Sequence, residues 1–125
     1  MQHFTERHGE LYVEDTPLSA VAERFGTPCY VYSRAAFTQQ YLSYAQALGS
    51  HPGMICYAIK ANSNLAILNM LAKLGAGFDI VSGGELARVL AAGGDARKVV
   101  FSGAGKSEAE IEEALRAGIR CLNIE

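Results

Sequence analysis

Four short apolar runs recur along the second half of the chain, at 54–60, 78–81, 99–102 and 120–124. Such compact runs predict strands covered on both faces. Between them, at about 64–74, 84–92 and 107–117, apolar residues fall three or four positions apart, the spacing of an amphipathic helix. In the first of these helices the stripe is Leu65, Leu68, Leu71 and Ala72, and any of Asn62, Ser63 or Asn64 can cap it. In the third, Ala109, Ile111 and Leu115 form the stripe, and Ser107 with Glu110 has the spacing of a capping box. Glycines at 75, 77, 93, 94 and 118 interrupt the pattern. The unit repeats about every 21 residues.

The first half is less regular. Leu11-Tyr12-Val13 predicts a short strand, and Pro17 to Phe25 a helix stopped by Gly26. Cys29 to Tyr32 is apolar and predicts a further strand. Ser33 can cap a helix running to about Ala47, with Phe37, Tyr41 and Tyr44 on one stripe, and residues 49–53 read as a turn.

Strand and helix alternating at this interval predict βαβ units around a parallel sheet. An open doubly wound sheet and a (β/α)8 barrel both satisfy the pattern; the evenness of the repeat favours the barrel. A whole barrel needs about 250 residues, so the 125 present would supply the N-terminal half of one. The expected organisation is an N-terminal segment, residues 1–32, and a first half-barrel, residues 33–125.

Composition narrows the classes. Half of the residues are apolar and 19% are charged, which excludes general disorder. A net charge of -2 gives no footprint for nucleic acid. No apolar run reaches the roughly 18 residues of a membrane span, and the N-terminus lacks a signal-peptide pattern. Cys29, Cys56 and Cys121 are odd in number and far apart, read as buried thiols in a reducing compartment. No Cys/His cluster has metal-ligand spacing, so no metal is expected.

The candidate chemistry begins at Lys60, near the C-terminal end of the strand containing Met54, Cys56 and Ala58 on the same face. A lysine taken out of water is more easily neutral, and its amine can attack a carbonyl. Pyridoxal phosphate is the cofactor this suggests, and the C-terminal strand ends are the active face of a barrel. The plainer alternative is a strand-end lysine whose ammonium reaches solvent. Asp79, between Phe78 and Ile80, needs a partner for its charge. Lys60 on the adjacent strand end is one, and backbone N–H groups are another. Glu85 follows Ser82-Gly83-Gly84 in a first helical turn; it either serves the helix dipole or lies beside a cofactor ring.

Phe101-Ser102-Gly103-Ala104-Gly105-Lys106-Ser107 fails as a P-loop because Val100 stands where the first glycine belongs. Gly93-Gly94-Asp95 is a turn, and no dinucleotide fingerprint follows any strand. His3, His8 and His51 carry no assigned role, and Asn123 and Glu125 end the last strand without one.

Tyr57-Ala58-Ile59-Lys60-Ala61-Asn62, followed by Gly77-Phe78-Asp79-Ile80-Val81-Ser82-Gly83-Gly84-Glu85-Leu86, resembles the alanine-racemase-fold decarboxylases that use pyridoxal phosphate. Val99-Val100-Phe101-Ser102-Gly103 with Lys106-Ser107 makes the chain most similar to the bacterial diaminopimelate decarboxylases, from about Leu11 to Glu125. The resemblance implies an alanine-racemase-type TIM barrel, with an N-terminal segment belonging to a second, β-rich domain that the chain lacks. It implies Lys60 as the Schiff-base residue, with Asp79 and Glu85 at the cofactor. The implied reaction is decarboxylation of meso-2,6-diaminopimelate at its D centre to L-lysine, the last step of lysine biosynthesis, in a cytoplasmic homodimer acting on a small amino acid. The family's ring-stacking histidine, phosphate cradle, acid partner of the pyridine nitrogen and substrate-side cysteine would all follow Glu125. The fragment alone is expected to be inactive. Alternatives are a related basic amino-acid or carboxynorspermidine decarboxylase, or a single-domain pyridoxal phosphate barrel without strong catalysis.

Overall fold

A computed structural model describes residues 3–124. They fall into two compact units, Met1–Ser43 and Tyr44–Glu125. In the first, β1 (Phe4–Arg7), β2 (Glu10–Val13) and β3 (Thr16–Pro17) form an antiparallel sheet in that order. The chain reverses at His8-Gly9, both at positive φ, as a two-residue hairpin turn requires. Helix α1 (Leu18–Phe25) follows, and α2 (Arg34–Leu48) begins in this unit and crosses the division. Ser33 caps α2 as expected: its Oγ accepts from Ala36 N–H at 2.9 Å and donates to Glu14 Oε1 at 2.7 Å. Glu14 also accepts from Ala35 N–H at 2.9 Å. Those donors hold the Glu14 carboxyl below the ordinary carboxylate range.

The strand expected at 29–32 does not form. Those residues join no sheet, and an apolar run without a ladder partner has nowhere to place its backbone hydrogen bonds. Tyr30 is 91% exposed and stacks on Tyr32, with ring centroids 6.5 Å apart.

The second unit is a parallel sheet: β4 (Cys56–Ala58), β5 (Gly77–Ile80), β6 (Val99–Phe101) and β7 (Cys121–Leu122). Helices α3 (Leu65–Lys73), α4 (Gly83–Ala91) and α5 (Glu108–Ala117) connect them. Spatial order equals chain order, with no reversal and hence no switch point; this is the progression of a β/α barrel, not of a doubly wound sheet. Phe78, Ile80, Val99 and Phe101 are fully buried, with Leu68, Leu86, Val89 and Ala114 of the helices also at 0% exposure. Each large side chain so buried contributes about 1.5–3 kcal/mol. The helix boundaries follow the caps: Asn64 Oδ1 accepts from Ala66 N–H at 2.9 Å, and Ser107 with Glu110 makes the expected capping box.

The other face of this sheet is the one that carries the candidate chemistry. Ala58, Asp79, Val100 and Cys121 are register partners across its four strands. Two expectations are corrected here. The first strand ends at Ala58, not at residue 60, and Ile59–Ala61 forms one 3-10 turn. The cysteines are not buried: Cys29 and Cys121 are exposed and Cys56 is partly so. In a strand the side-chain period of two sends Cys56 and Cys121 to the face opposite the helices. Among the described residues no helix is long and apolar enough to cross a membrane, and no group of three or more His, Cys, Asp or Glu is placed to hold a metal ion.

Candidate active site

Lys60 occupies the middle of the turn directly after β4. Its neighbour Ile59 takes the buried position, at 0% exposure, and Lys60 is left exposed. The expectation of a buried amine is therefore not met; once the strand gives way to a 3-10 turn, the alternation that would have tucked Lys60 beside Ala58 stops. The backbone around it is well braced. Tyr57 O–H donates to the Asn62 carbonyl at 3.1 Å, and Arg88 Nε donates to the Ser63 carbonyl at 2.9 Å. Asn62 Oδ1 accepts from Asn64 N–H at 3.0 Å. An exposed side chain thus stands on a hydrogen-bonded turn at the C-terminal end of a parallel strand. Lys60 takes no hydrogen bond or ion pair among the described residues.

Asp79 lies on β5, in register with Ala58. Of the two partners considered for its charge, Lys60 and backbone N–H groups, neither is bonded to it among the described residues. Asp79 instead accepts from Ser102 Oγ at 2.6 Å, and Ser102 in turn accepts from Asn123 Nδ2 at 3.0 Å. Local pattern did not single out Ser102 or Asn123 as site residues. Their chain separations of 23 and 21 residues are close to the repeat length, and that signal would have aligned them with Asp79 on successive strand ends.

Glu85 sits at the third position of α4. Ser82 Oγ accepts from its N–H at 3.2 Å, and Glu85 Oε2 accepts from Val81 N–H at 2.7 Å. One carboxylate oxygen therefore braces the turn between β5 and α4, which favours the helix-start reading for that oxygen. Glu110 reaches the same helix start, where its Oε1 accepts from Gly83 N–H at 2.8 Å. This bond, with those from Ser107, lowers the Glu110 carboxyl to about 2.

Cys56 shares the face of Asp79. Burial, then the negative charge of Asp79 and the neighbouring Cys121, push its thiol up, which disfavours the thiolate. A shallow cavity of about 320 Å³ lies farther along, lined by Gly103, Ala104, Lys106, Ile111, Leu122, Asn123 and Ile124. Lys60, Asp79 and Glu85 do not line it. Lys106 is engaged there: its Nζ donates to the carbonyls of Gly103 and, at 2.8 Å, Asn123.

The donor set fits an aldehyde cofactor. Lys60 is a primary amine with no hydrogen-bond or ion-pair partner among the described residues, and Ala58 and Val100, the register partners of Asp79, are small or apolar. Asp79 supplies a negative charge on the same face.

Comparison with known proteins identifies the family. The pyridoxal binding domain of the pyridoxal-dependent decarboxylases matches residues 34–125. Diaminopimelate decarboxylase of Pseudomonas fluorescens is 61% identical over all of this chain, which spans 30% of that protein's length. The crystal structure of diaminopimelate decarboxylase from M. jannaschii in complex with L-lysine superposes with a TM-score of 0.92 at 36% identity, over 98% of this chain and 30% of that one. Lysine/ornithine decarboxylase from Vibrio vulnificus, complexed with cadaverine, gives 0.77 at 27% identity, over 86% of this chain and 30% of that one. With the parallel strand order, the lysine turn after the first of those strands and a family match over most of the chain, the sequence belongs to the pyridoxal-dependent decarboxylases, with residues 34–125 falling in their pyridoxal binding domain.

Proposed function

We propose that the protein to which this chain belongs decarboxylates meso-2,6-diaminopimelate at its D centre, giving L-lysine and carbon dioxide. The observation that carries this reading is Lys60, without a partner among the described residues, on a braced turn at the end of β4, in a chain 61% identical to a diaminopimelate decarboxylase. Pyridoxal phosphate, when bound, supplies the electron sink for the bond that breaks. Lys60 offers the amine that holds the cofactor aldehyde, and its long stem lets that nitrogen leave and return as substrate comes and goes. Asp79 supplies a negative charge on the sheet face in register with Ala58, two residues before Lys60, and a nitrogen held by Lys60 above that face would be favoured in its protonated form. Glu85, with one oxygen on Val81 N–H, keeps its other oxygen for the cofactor side.

Residues 1–32 serve a β-rich domain and the approach to the barrel, and residues 33–125 are the first half of the barrel. The antiparallel sheet β1–β3 supports that division. The same reading makes the enzyme a cytoplasmic homodimer. A related basic amino-acid decarboxylase is the second reading, supported by the likeness to the Vibrio vulnificus enzyme at 27% identity, well below 61%. Assay of the full-length protein with pyridoxal phosphate against meso-diaminopimelate, ornithine, arginine and carboxynorspermidine separates them. Lysine release from the first alone is expected; turnover of another substrate in preference to it overturns the assignment.

A further inference from the structure

Asp79, Ser102 and Asn123 come from the ends of three successive parallel strands, and one chain of hydrogen bonds joins their side chains. Asn123 Nδ2 donates to Ser102 Oγ at 3.0 Å, and Ser102 Oγ donates to Asp79 Oδ1 at 2.6 Å. The order is set by chemistry. A carboxylate only accepts, so the single hydroxyl proton of Ser102 points at Asp79, and the hydroxyl lone pair is left for the Asn123 amide. The short O–H···O⁻ contact is of the charge-assisted kind.

The relay is anchored beyond its own side chains. Lys106 Nζ donates to the carbonyl of Gly103, next to Ser102, and to the carbonyl of Asn123 at 2.8 Å, while lying 5.5 Å from the centre of the Phe101 ring. The ends of β6 and β7 are thereby clamped together. Among the described residues no other hydrogen bond or ion pair fixes the Asp79 carboxylate. Its register neighbours Ala58 and Val100 are apolar, and the torsion of a carboxylate is otherwise broad. Among the described residues, Cys56 on β4, Cys121 on β7 and Arg120 just before it are ionisable groups near this face, and Lys60 follows β4 in the chain. None of them forms an ion pair with Asp79, and Asp79 Oδ2 takes no hydrogen bond among the described residues.

We propose that Ser102 and Asn123 are positioning residues that occupy one oxygen of Asp79, so that the other is presented in a single orientation to the nitrogen of Lys60. The proposal rests on the reading of Lys60 as the cofactor-holding lysine. A carboxylate free to rotate would spread its charge over many directions. One pinned by a 2.6 Å bond concentrates it on the site where a protonated nitrogen has to be stabilised.

The test is a spectroscopic pH titration of the full-length protein loaded with pyridoxal phosphate, following the visible absorbance of the lysine-bound cofactor. Ser102→Ala is expected to move the midpoint about one pH unit toward acid. Ser102→Thr keeps the hydroxyl and is expected to retain the wild-type midpoint. Asn123→Ala, which spares the Ser102–Asp79 bond, is expected to move it in the same direction by less, and serves as the test should Ser102→Ala not fold. In an Asp79→Asn background Ser102→Ala is expected to add nothing, because its effect passes through that carboxylate. An unchanged midpoint in folded, cofactor-loaded Ser102→Ala, or in Asn123→Ala if that is the variant available, overturns the proposal. If wild-type protein instead shows no cofactor on Lys60, the underlying reading fails and the positioning role falls with it.

Discussion

Glu110 of α5 reaches across to the start of α4, where its Oε1 accepts the backbone N–H of Gly83 at 2.8 Å. Its other oxygen accepts from Ser107 N–H at 3.0 Å and Ser107 Oγ at 2.8 Å. One carboxylate thus closes its own helix and the preceding one, fixing two successive β–α connections of the barrel. Helix starts leave N–H groups without partners, and an anion there is favoured further by the helix dipole.

That geometry sets a pH dependence. The Glu110 carboxyl is lowered from 4.5 to about 2, so the unfolded chain holds the proton more tightly than the folded one. Its contribution to stability is complete above pH 4.5 and is lost as pH falls through about 2. Glu110→Gln is expected to flatten the acid limb of stability against pH over that window. Denaturant unfolding of the full-length protein across the range checks this, and an unchanged slope would contradict it.

Close packing beneath β5 makes a second expectation. A Cβ at Gly77 would lie 2.6 Å from the Lys98 carbonyl and 2.9 Å from both Cys56 Sγ and Met54 Sδ. The carbonyl belongs to backbone that cannot step aside cheaply, so Gly77→Ala is expected to destabilise by about 1–3 kcal/mol. Gly105→Ala is the control, since a Cβ there meets nothing within 4 Å. Equal unfolding midpoints for the two variants would show that the strand edge yields more readily than its packing indicates.

Glu85 gives a third. Its bond to Val81 N–H needs an acceptor but not a charge. Glu85→Gln should therefore keep the turn, within about 0.5 kcal/mol of wild type, while Glu85→Ala should lose a net hydrogen bond of about 0.5–1.5 kcal/mol. A cofactor role for the charge would appear separately, as weaker pyridoxal phosphate binding in the glutamine variant. Unaltered cofactor affinity in Glu85→Gln would restrict Glu85 to bracing the turn.

The parallel half of the molecule was legible because strands and helices there differ in period, and because caps such as Ser107 with Glu110 are local chemistry. Residues 29–32 misled because an apolar run shows no sign of whether a ladder partner exists. The position of Lys60 at a strand end was readable; its exposure was not, because Ile59 takes the buried slot and the strand stops two residues early. Asp79 was flagged for needing a partner, but the partner is a hydroxyl 23 residues away on the next strand, a relation that no short window contains. The roles of Lys60, Asp79 and Glu85 came from the family resemblance, and they stand as proposals to be tested.

The most direct test concerns Lys60 itself. Because its side chain is exposed and has no partner among the described residues, Lys60→Ala should change stability by no more than about 0.5 kcal/mol. Full-length protein loaded with pyridoxal phosphate should be reduced with borohydride, digested and mapped by mass. The account expects the pyridoxyl adduct on the peptide carrying Lys60, and none anywhere in a folded Lys60→Ala variant. An adduct on a different lysine, with Lys60 unmodified, would contradict it.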